Sequence, residues 1–161
     1  LLVETFRACP QRHLRIVGDG PERKRLERNL PPNVQMLGRL SKGQVWHMLA
    51  HAKALLFPAA EDFGIAPVEA QGVGTPVIAY ARGGASESII PGRTGVFFHS
   101  QDVTSLSAAL DAFERMRFDS DALVENARRF GCAVFQRAFL EWVSMEWSRF
   151  QQRRSVVCDT R

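Results

Sequence analysis

The sequence predicts an α/β fold, an open parallel sheet with helices on both faces. Three observations carry that expectation. Short apolar runs of strand length alternate with helical stretches from residue 1 to about residue 98. Gly, Pro and Asn punctuate the alternation where turns are needed. With 45% hydrophobic and 24% charged residues, a chain of 161 can bury one sizeable core.

The elements follow in order. Residues 1–9 place Leu2, Phe6 and Cys9 on one helical face, and Pro10 and Gln11 end that helix. Leu14–Val17 is a short strand running into the turn Gly18-Asp19-Gly20. Pro21, with no N–H to waste, suits the first position of an exposed helix PERKRLERN, and Glu22 suits its positive end. Pro31, Pro32 and Asn33 stop it, and Val34–Leu37 is a strand ending at Gly38. Ser41 caps a helix through about His51, with Val45, Leu49 and Ala52 inward. Ala54–Phe57 is a buried strand closed by Pro58, and a polar loop from Ala59 to Phe63 precedes a helix from Ile65 to Gly72. Pro76–Tyr80 is a strand, Gly83-Gly84 a turn, Ala85–Ile90 a short helix and Gly95–Phe98 a strand. Only helices follow, over 102–117, 120–130 and 133–150. Residues 1–150 are expected to form one domain, and 151–161 a disordered tail.

Composition excludes several classes. The apolar content is too high for disorder, and three scattered cysteines without CxxC spacing make no disulfide scaffold and suit a reducing compartment. No uncharged run approaches the roughly 20 residues of a membrane-spanning helix. The net charge of +4 is spread among both signs and forms no basic-aromatic face for nucleic acid. The chain opens on Leu1-Leu2-Val3 with no initiator methionine and no signal peptide, and reads as a fragment of a longer protein.

In an open parallel sheet, ligands bind beyond the carboxyl ends of the strands. Four loops there are unusual: Gly18-Asp19-Gly20, Gly38 to Lys42, Pro58 to Gly64, and Arg82-Gly83-Gly84. Glycines admit close backbone approach, and the following helix offers free N–H groups and a positive dipole end to an anion. The sharpest feature is EDFGIAPVE. Glu61 lies in the loop and Glu69 in the helix, so a carboxylate stands on each side of a helix start. Carboxylates accept hydrogen bonds from sugar or ribose hydroxyls. Between them the amides of Gly64, Ile65 and Ala66 can meet phosphate oxygens, while Pro67 has none to offer. Together these parts fit a nucleotide-linked sugar. The plainer alternative is that Glu61 and Asp62 merely favour the helix N-terminus.

This segment resembles the Glu-x7-Glu signature of retaining glycosyltransferases with the two-Rossmann-domain (GT-B) architecture, typified by sucrose synthases and bacterial mannosyltransferases. VGDGPERKRLE, NVQMLGRLS, ALLFPAAEDFGIAPVEAQGVGTPVIAYARGGASESI and GRTGVFF are similar, in order, to motifs of that family's C-terminal, donor-binding half. The resemblance implies a Rossmann-like open parallel sheet closing with C-terminal helices. By it, Glu61 accepts from hydroxyls of the transferred sugar, helped by the backbone at Phe63 and Gly64. The amides of Ile65 and Ala66 face the diphosphate, and Glu69 holds the ribose. The loop at Gly38-Arg39-Leu40-Ser41 borders the base, with Leu40 on its ring and Gly18 and Gly20 nearby.

The resemblance further implies catalysis by fixed donors aimed at the leaving diphosphate, with no metal and no cofactor. An Arg and a Lys spaced as R-x4-K, a first strand and an acceptor-binding domain are expected to precede Leu1. The isolated 161 residues are therefore expected to bind a nucleotide sugar weakly and transfer nothing. The similarity to mannosyltransferases of bacterial surface-polysaccharide assembly favours GDP-mannose as donor and a glycan or lipid-linked sugar as acceptor. The location implied is cytoplasmic, peripheral at the inner membrane face for the whole protein.

Other signals are set aside. His47 and His51 stand at i, i+4, a spacing that can bind zinc, but no third ligand accompanies them. Asp119-Ser120-Asp121 spells DxD but sits between helices, where it caps the second. Trp142, Met145 and Trp147 read as core or domain-packing residues. Arg23 occupies the third glycine position of GxGxxG, which argues against a dinucleotide enzyme, and no P-loop is present. A sugar-nucleotide epimerase of the same architecture lacks the acidic-Phe-Gly pattern. A non-catalytic scaffold of the same fold remains as the alternative to an enzyme.

Overall fold

Every strand pair in the computed structural model is parallel. The structure describes residues 1–158, with side chains as far as residue 152. Along the chain come α1 (Leu2–Ala8), β1 (Leu14–Val17), α2 (Arg23–Glu27), β2 (Val34–Gly38), α3 (Lys42–Ala50), β3 (Leu55–Phe57), α4 (Ile65–Gly72) and β4 (Val77–Tyr80). They are followed by α5 (Ala85–Ser88), β5 (Gly95–Phe98), α6 (Val103–Glu114), α7 (Ser120–Arg128) and α8 (Cys132–Cys158). The α/β class is as expected. Among the described residues two sheets stand in place of one continuous sheet, β2-β1 and β3-β4-β5, because no strand pairing joins β1 to β3. Leu14 lies opposite Val34 and Ile16 opposite Met36; Leu55 lies opposite Val77, which in turn lies opposite Gly95.

The chain divides into two compact units, Leu1–Ala127 and Arg128–Arg161, where the sequence suggests one domain over 1–150. In the first unit β4 shows why helices must cover both faces. Its side chains alternate: Ile78 enters a core with Val3, Phe6, Leu14, Phe98 and Leu106, while Val77 and Ala79 enter another with Phe57, Ala70, Ala85 and Ile89. The first core is roofed by α1 and α6, the second by α4 and α5. A strand buried on both sides reads as a continuous apolar run, as residues 77–80 do.

Several expectations are corrected in detail. Pro21 and Glu22 lie in a turn ahead of α2, which has five residues and buries none of them. Leu26, partly buried against the first core, is the one apolar side chain of the helix, which leaves no apolar stripe to hold a longer one. The face of α1 that is buried carries Val3, Thr5 and Phe6, with Leu2 and Cys9 half-buried. Ala52 is exposed, Leu55 and Leu56 are half-buried, and α5 stops at Ser88. Ile89 turns extended there to fill the second core, and Thr94 Oγ1 accepts a hydrogen bond from the amide of Ile90 at 2.9 Å.

Buried polar side chains tie these layers together. Gln71, fully buried in α4, donates from Nε2 to the carbonyls of Pro67 at 3.1 Å and Ser88 at 3.0 Å. Asn126 Nδ2 donates to Gln71 Oε1 at 2.6 Å and to Ser88 O at 2.8 Å, so α4, α5 and α7 share one knot. Arg12, only 12% exposed, joins the turn before β1 to Asp111 and Glu114 on α6.

The second unit is dominated by α8. Along it Phe135 stacks on Phe139, Phe139 meets Trp142 at a tilt, and Trp147 stacks on Phe150. Trp142, Met145 and Trp147 are exposed, not core residues as the sequence allowed. The helix is described to Cys158, and the remainder of the tail expected at 151–161 lies outside the described residues. No helix among the described residues is long and apolar enough to cross a membrane.

Candidate functional site

The carboxyl ends of β3 and β4 feed the two loops that build the site. Phe57 closes β3 and is buried, and its ring sits beneath Gly64. Gly64 has φ +76°, and a Cβ there would stand 3.1 Å from the Phe57 ring, so both backbone conformation and space call for glycine. That left-handed residue turns the chain directly into α4. No hydrogen bond to the amides of Ile65 or Ala66 is made among the described residues. The first turn of a helix has no internal acceptor for these donors, and the helix dipole adds positive potential.

The loop ahead of Gly64 is held by the turn after β4. The amide of Gly84 donates to the carbonyl of Glu61 at 2.8 Å. A Cβ on Gly84 would collide with backbone atoms of Phe63 and Asp62. Hence the segment 61–63 lies flat on the 83–84 turn, and its side chains Glu61, Asp62 and Phe63 remain exposed. Glu69 sits in the second turn of α4, half-buried against α3. Its Oε1 accepts from Trp46 Nε1 at 3.4 Å and lies 3.9 Å from Lys42 Nζ.

Helix α3 also forms one wall of an open, mostly apolar concavity of about 420 Å³, lined by Leu37, Leu40, Gly43, Gln44, His47 and Met48. Its start is fixed by a capping box: Ser41 and Gln44 satisfy one another's backbone amides. Lys42 and Trp46 fall on one face of α3, while Gly43, His47, Gln44 and Met48 fall on the adjoining faces. The Glu69 carboxylate and the concavity thus adjoin a single helix. A flat ring fits such an apolar recess, and an adjacent carboxylate can take hydroxyl groups attached to it.

The glycines at the ends of β1 and β2 separate into two cases. Gly18 donates from its amide to the carbonyl of Gly38 at 2.8 Å, so these two residues are brought together. Above Gly38 lies the guanidinium of Arg23, whose hydrogen bond to the Glu27 carboxylate, donated from Nε at 2.7 Å, holds its pKa above the ordinary arginine value. Gly20 has nothing within 4 Å of where a side chain would start. Leu40 lines the concavity.

Three participants were not marked for this role in the sequence. Lys42 and Trp46 carry an i, i+4 signal that points to a shared helix face but not to Glu69 opposite. Gly84 reads as a turn residue, and the chain that lies on it is visible only in three dimensions. The signals set aside have local roles: His51 Nδ1 lies 2.7 Å from the carbonyl of His47, and Asp119 Oδ1 accepts from the amide of Asp121 at 3.0 Å. Among the described residues no three His, Cys, Asp or Glu side chains gather as metal ligands would.

Comparison with known proteins adds to this geometry. The family model described as "Glycosyl transferases group 1" matches residues 1–130. A GDP-mannose-dependent monoacylated alpha-(1-6)-phosphatidylinositol monomannoside mannosyltransferase of Corynebacterium glutamicum is 33% identical over 156 residues, covering 90% of this chain and 38% of that protein. A D-inositol 3-phosphate glycosyltransferase of Corynebacterium efficiens is 30% identical over 150 residues, 83% of this chain and 35% of that protein. Among solved structures, the sucrose-phosphate synthase of Thermosynechococcus elongatus superposes with a TM-score of 0.71 at 28% identity, covering 94% of this chain and 42% of that one. Anabaena HepE in complex with UDP-glucose gives 0.72 at 24% identity over 89% of this chain and 44% of that one, a likeness of fold. The chain spans less than half the length of these relatives.

Proposed function

This chain belongs to the glycosyl transferases of group 1, and on that footing we propose that it binds the nucleotide-diphospho-sugar for an enzyme that transfers the sugar with retention of configuration. One observation carries the proposal. A loop pinned to Gly84 carries the exposed Glu61 just ahead of the uncommitted amides of Ile65 and Ala66, while Glu69 and an apolar recess adjoin α3. A nucleotide sugar presents four groups in series: a flat base, a ribose diol, a charged diphosphate and a sugar. The recess with Leu40 takes the base, Glu69 the diol, the N-terminus of α4 the diphosphate, and Glu61 with the backbone at Phe63 and Gly64 the sugar. Gly18, Gly20 and Gly38 border the base side.

Breaking the anomeric bond leaves charge on the diphosphate. Amides already fixed at a helix start stabilise that charge without reorganising as it develops. Glu61 positions the sugar and stabilises charge nearby; no covalent role is assigned to it, and no metal or cofactor enters. The GDP-mannose-dependent relative, named for a phosphatidylinositol monomannoside, supports mannose from GDP-mannose as the donor group; in this proposal the product is a polysaccharide or glycolipid made at the cytoplasmic face. In this proposal an acceptor-binding domain and the R-x4-K cations lie in further chain ahead of Leu1, a reading supported by the length of the relatives. In this proposal the open edges of β1 and β3 seat the strand that leads into α1.

Calorimetric titration with GDP-mannose, UDP-glucose and the free diphosphates tests the proposal. Saturable binding that Glu69→Ala weakens is expected, with no turnover by these 161 residues alone. Absence of saturable binding, or binding indifferent to Glu69→Ala, would favour a scaffold that has kept the fold only.

A further inference from the structure

We infer that Trp46 and Lys42 are positioning residues that aim the Glu69 carboxylate at the ribose diol, an inference resting on the proposed nucleotide-sugar site. Of the carboxylates in the 61–69 segment, Glu69 alone is tethered among the described residues: Glu61 and Asp62 make no side-chain hydrogen bond or ion pair. Both tethers reach one oxygen. Trp46 Nε1 donates to Oε1 at 3.4 Å, and Lys42 Nζ lies 3.9 Å from that same atom. Oε2 is left with no protein partner among the described residues.

The tethers support one another. Lys42 Nζ stands 4.7 Å from the centroid of the Trp46 ring, so the ammonium rests on the indole face while the indole edge meets the carboxylate. Both residues project from the first turn and a half of α3, whose start the Ser41–Gln44 capping box fixes. The carboxylate is therefore held by a helix start, not by a mobile loop.

Two consequences follow for binding. A glutamate has three rotatable bonds, and ordering them on binding costs up to about 1.5–2 kcal/mol of side-chain entropy, equivalent to more than a tenfold change in affinity. Ordering them beforehand removes much of that cost. A carboxylate also repels an approaching diphosphate, and Lys42 offsets that charge while leaving Oε2 to accept.

The test compares GDP with 2′,3′-dideoxy-GDP, and UDP with its dideoxy analogue, in wild type and in Trp46→Phe, Lys42→Met and Glu69→Ala. Wild type is expected to prefer the ribonucleotide, and Glu69→Ala to abolish that preference. Trp46→Phe keeps the ring but loses the donor, and Lys42→Met keeps the stem but loses the charge. Each is expected to cut the preference roughly threefold to tenfold, the range of a modest hydrogen bond or an exposed ion pair; affinity for the dideoxy analogues stays within about twofold in Trp46→Phe and falls in Lys42→Met, which also loses the charge that offsets Glu69. Lys42→Met guards against a tryptophan change that merely unsettles α3. If Glu69→Ala removes the preference and both α3 variants retain it, the positioning role is overturned and the proposed site stands. If wild type shows no preference, or Glu69→Ala leaves it intact, both fall.

Discussion

Gly84 and Glu61 are joined backbone to backbone, the amide of one donating to the carbonyl of the other at 2.8 Å, with no room between the two loops for a side chain on Gly84. Gly84 itself has an ordinary helical φ of −62°, so alanine is disfavoured there by collision and not by backbone conformation.

Gly84→Ala should therefore push the 61–63 loop off its seat. A cost of about 2 kcal/mol is expected in chemical unfolding, together with loss of nucleotide-sugar binding. Gly20→Ala is the control. It has open space and no positive φ, and should lie within about 0.5 kcal/mol of wild type. Equal effects at the two positions would show that the Gly84 contact is not specific.

Glu61→Ala should separate sugar from nucleotide. Free GDP and UDP are expected to bind the variant as they bind wild type. The added affinity from the attached sugar is expected to fall roughly tenfold, the worth of a hydrogen bond to a charged acceptor. Paired titrations with GDP and GDP-mannose, and with UDP and UDP-glucose, read this directly.

The platform under α4 can be tested without touching the site. Asn126→Ala leaves Gln71 Oε1 without that donor in a fully buried position. A buried carbonyl that loses its partner costs about 1–3 kcal/mol, visible as a drop of several degrees in Tm. Asn126→Asp should do no better, since it offers an acceptor where a donor is needed.

Arg12 links pH to stability. Its hydrogen bonds to Glu114 and Asp111 hold its pKa above the ordinary arginine value, and the bond from Arg12 holds the Glu114 carboxyl below the usual carboxylate range. A carboxyl with a lowered folded pKa stabilises the fold above its unfolded pKa and loses that contribution as pH falls through the folded one. Arg12→Met should cost about 1 kcal/mol at pH 7, because Glu114 is half exposed and screened. The gap in Tm from wild type should narrow between about pH 5 and pH 2. A gap that stays constant over that range would assign the effect to packing alone.

Much of the fold was legible because the relevant signals are local. The strand at 95–98 and the helix at 65–72 have the bounds the sequence predicts, since a short apolar run opened by Gly95 and closed by the polar His99-Ser100, and a Gly-to-helix transition, are both read from neighbouring residues. The helix expected at 21–29 is only five residues long because its stability depends on a buried face that Leu26 alone cannot supply. The division into two sheets was not legible, because apolar alternation reports that strands exist and not which edges pair. The same limit applies to the site. Glu61 and Glu69 stand out by spacing and chemistry, but Gly84 and Trp46 matter through residues 23 positions away from each, a relation that needs the fold to be seen.

The central claim is that the start of α4 receives the diphosphate of a nucleotide sugar, and amide resonances observed during titration with GDP-mannose and UDP-glucose test it most directly. The account predicts that Gly64, Ile65 and Ala66, together with the Trp46 indole N–H, shift furthest and saturate at one common ligand concentration. Shifts gathered elsewhere while these four signals stay in place would contradict it.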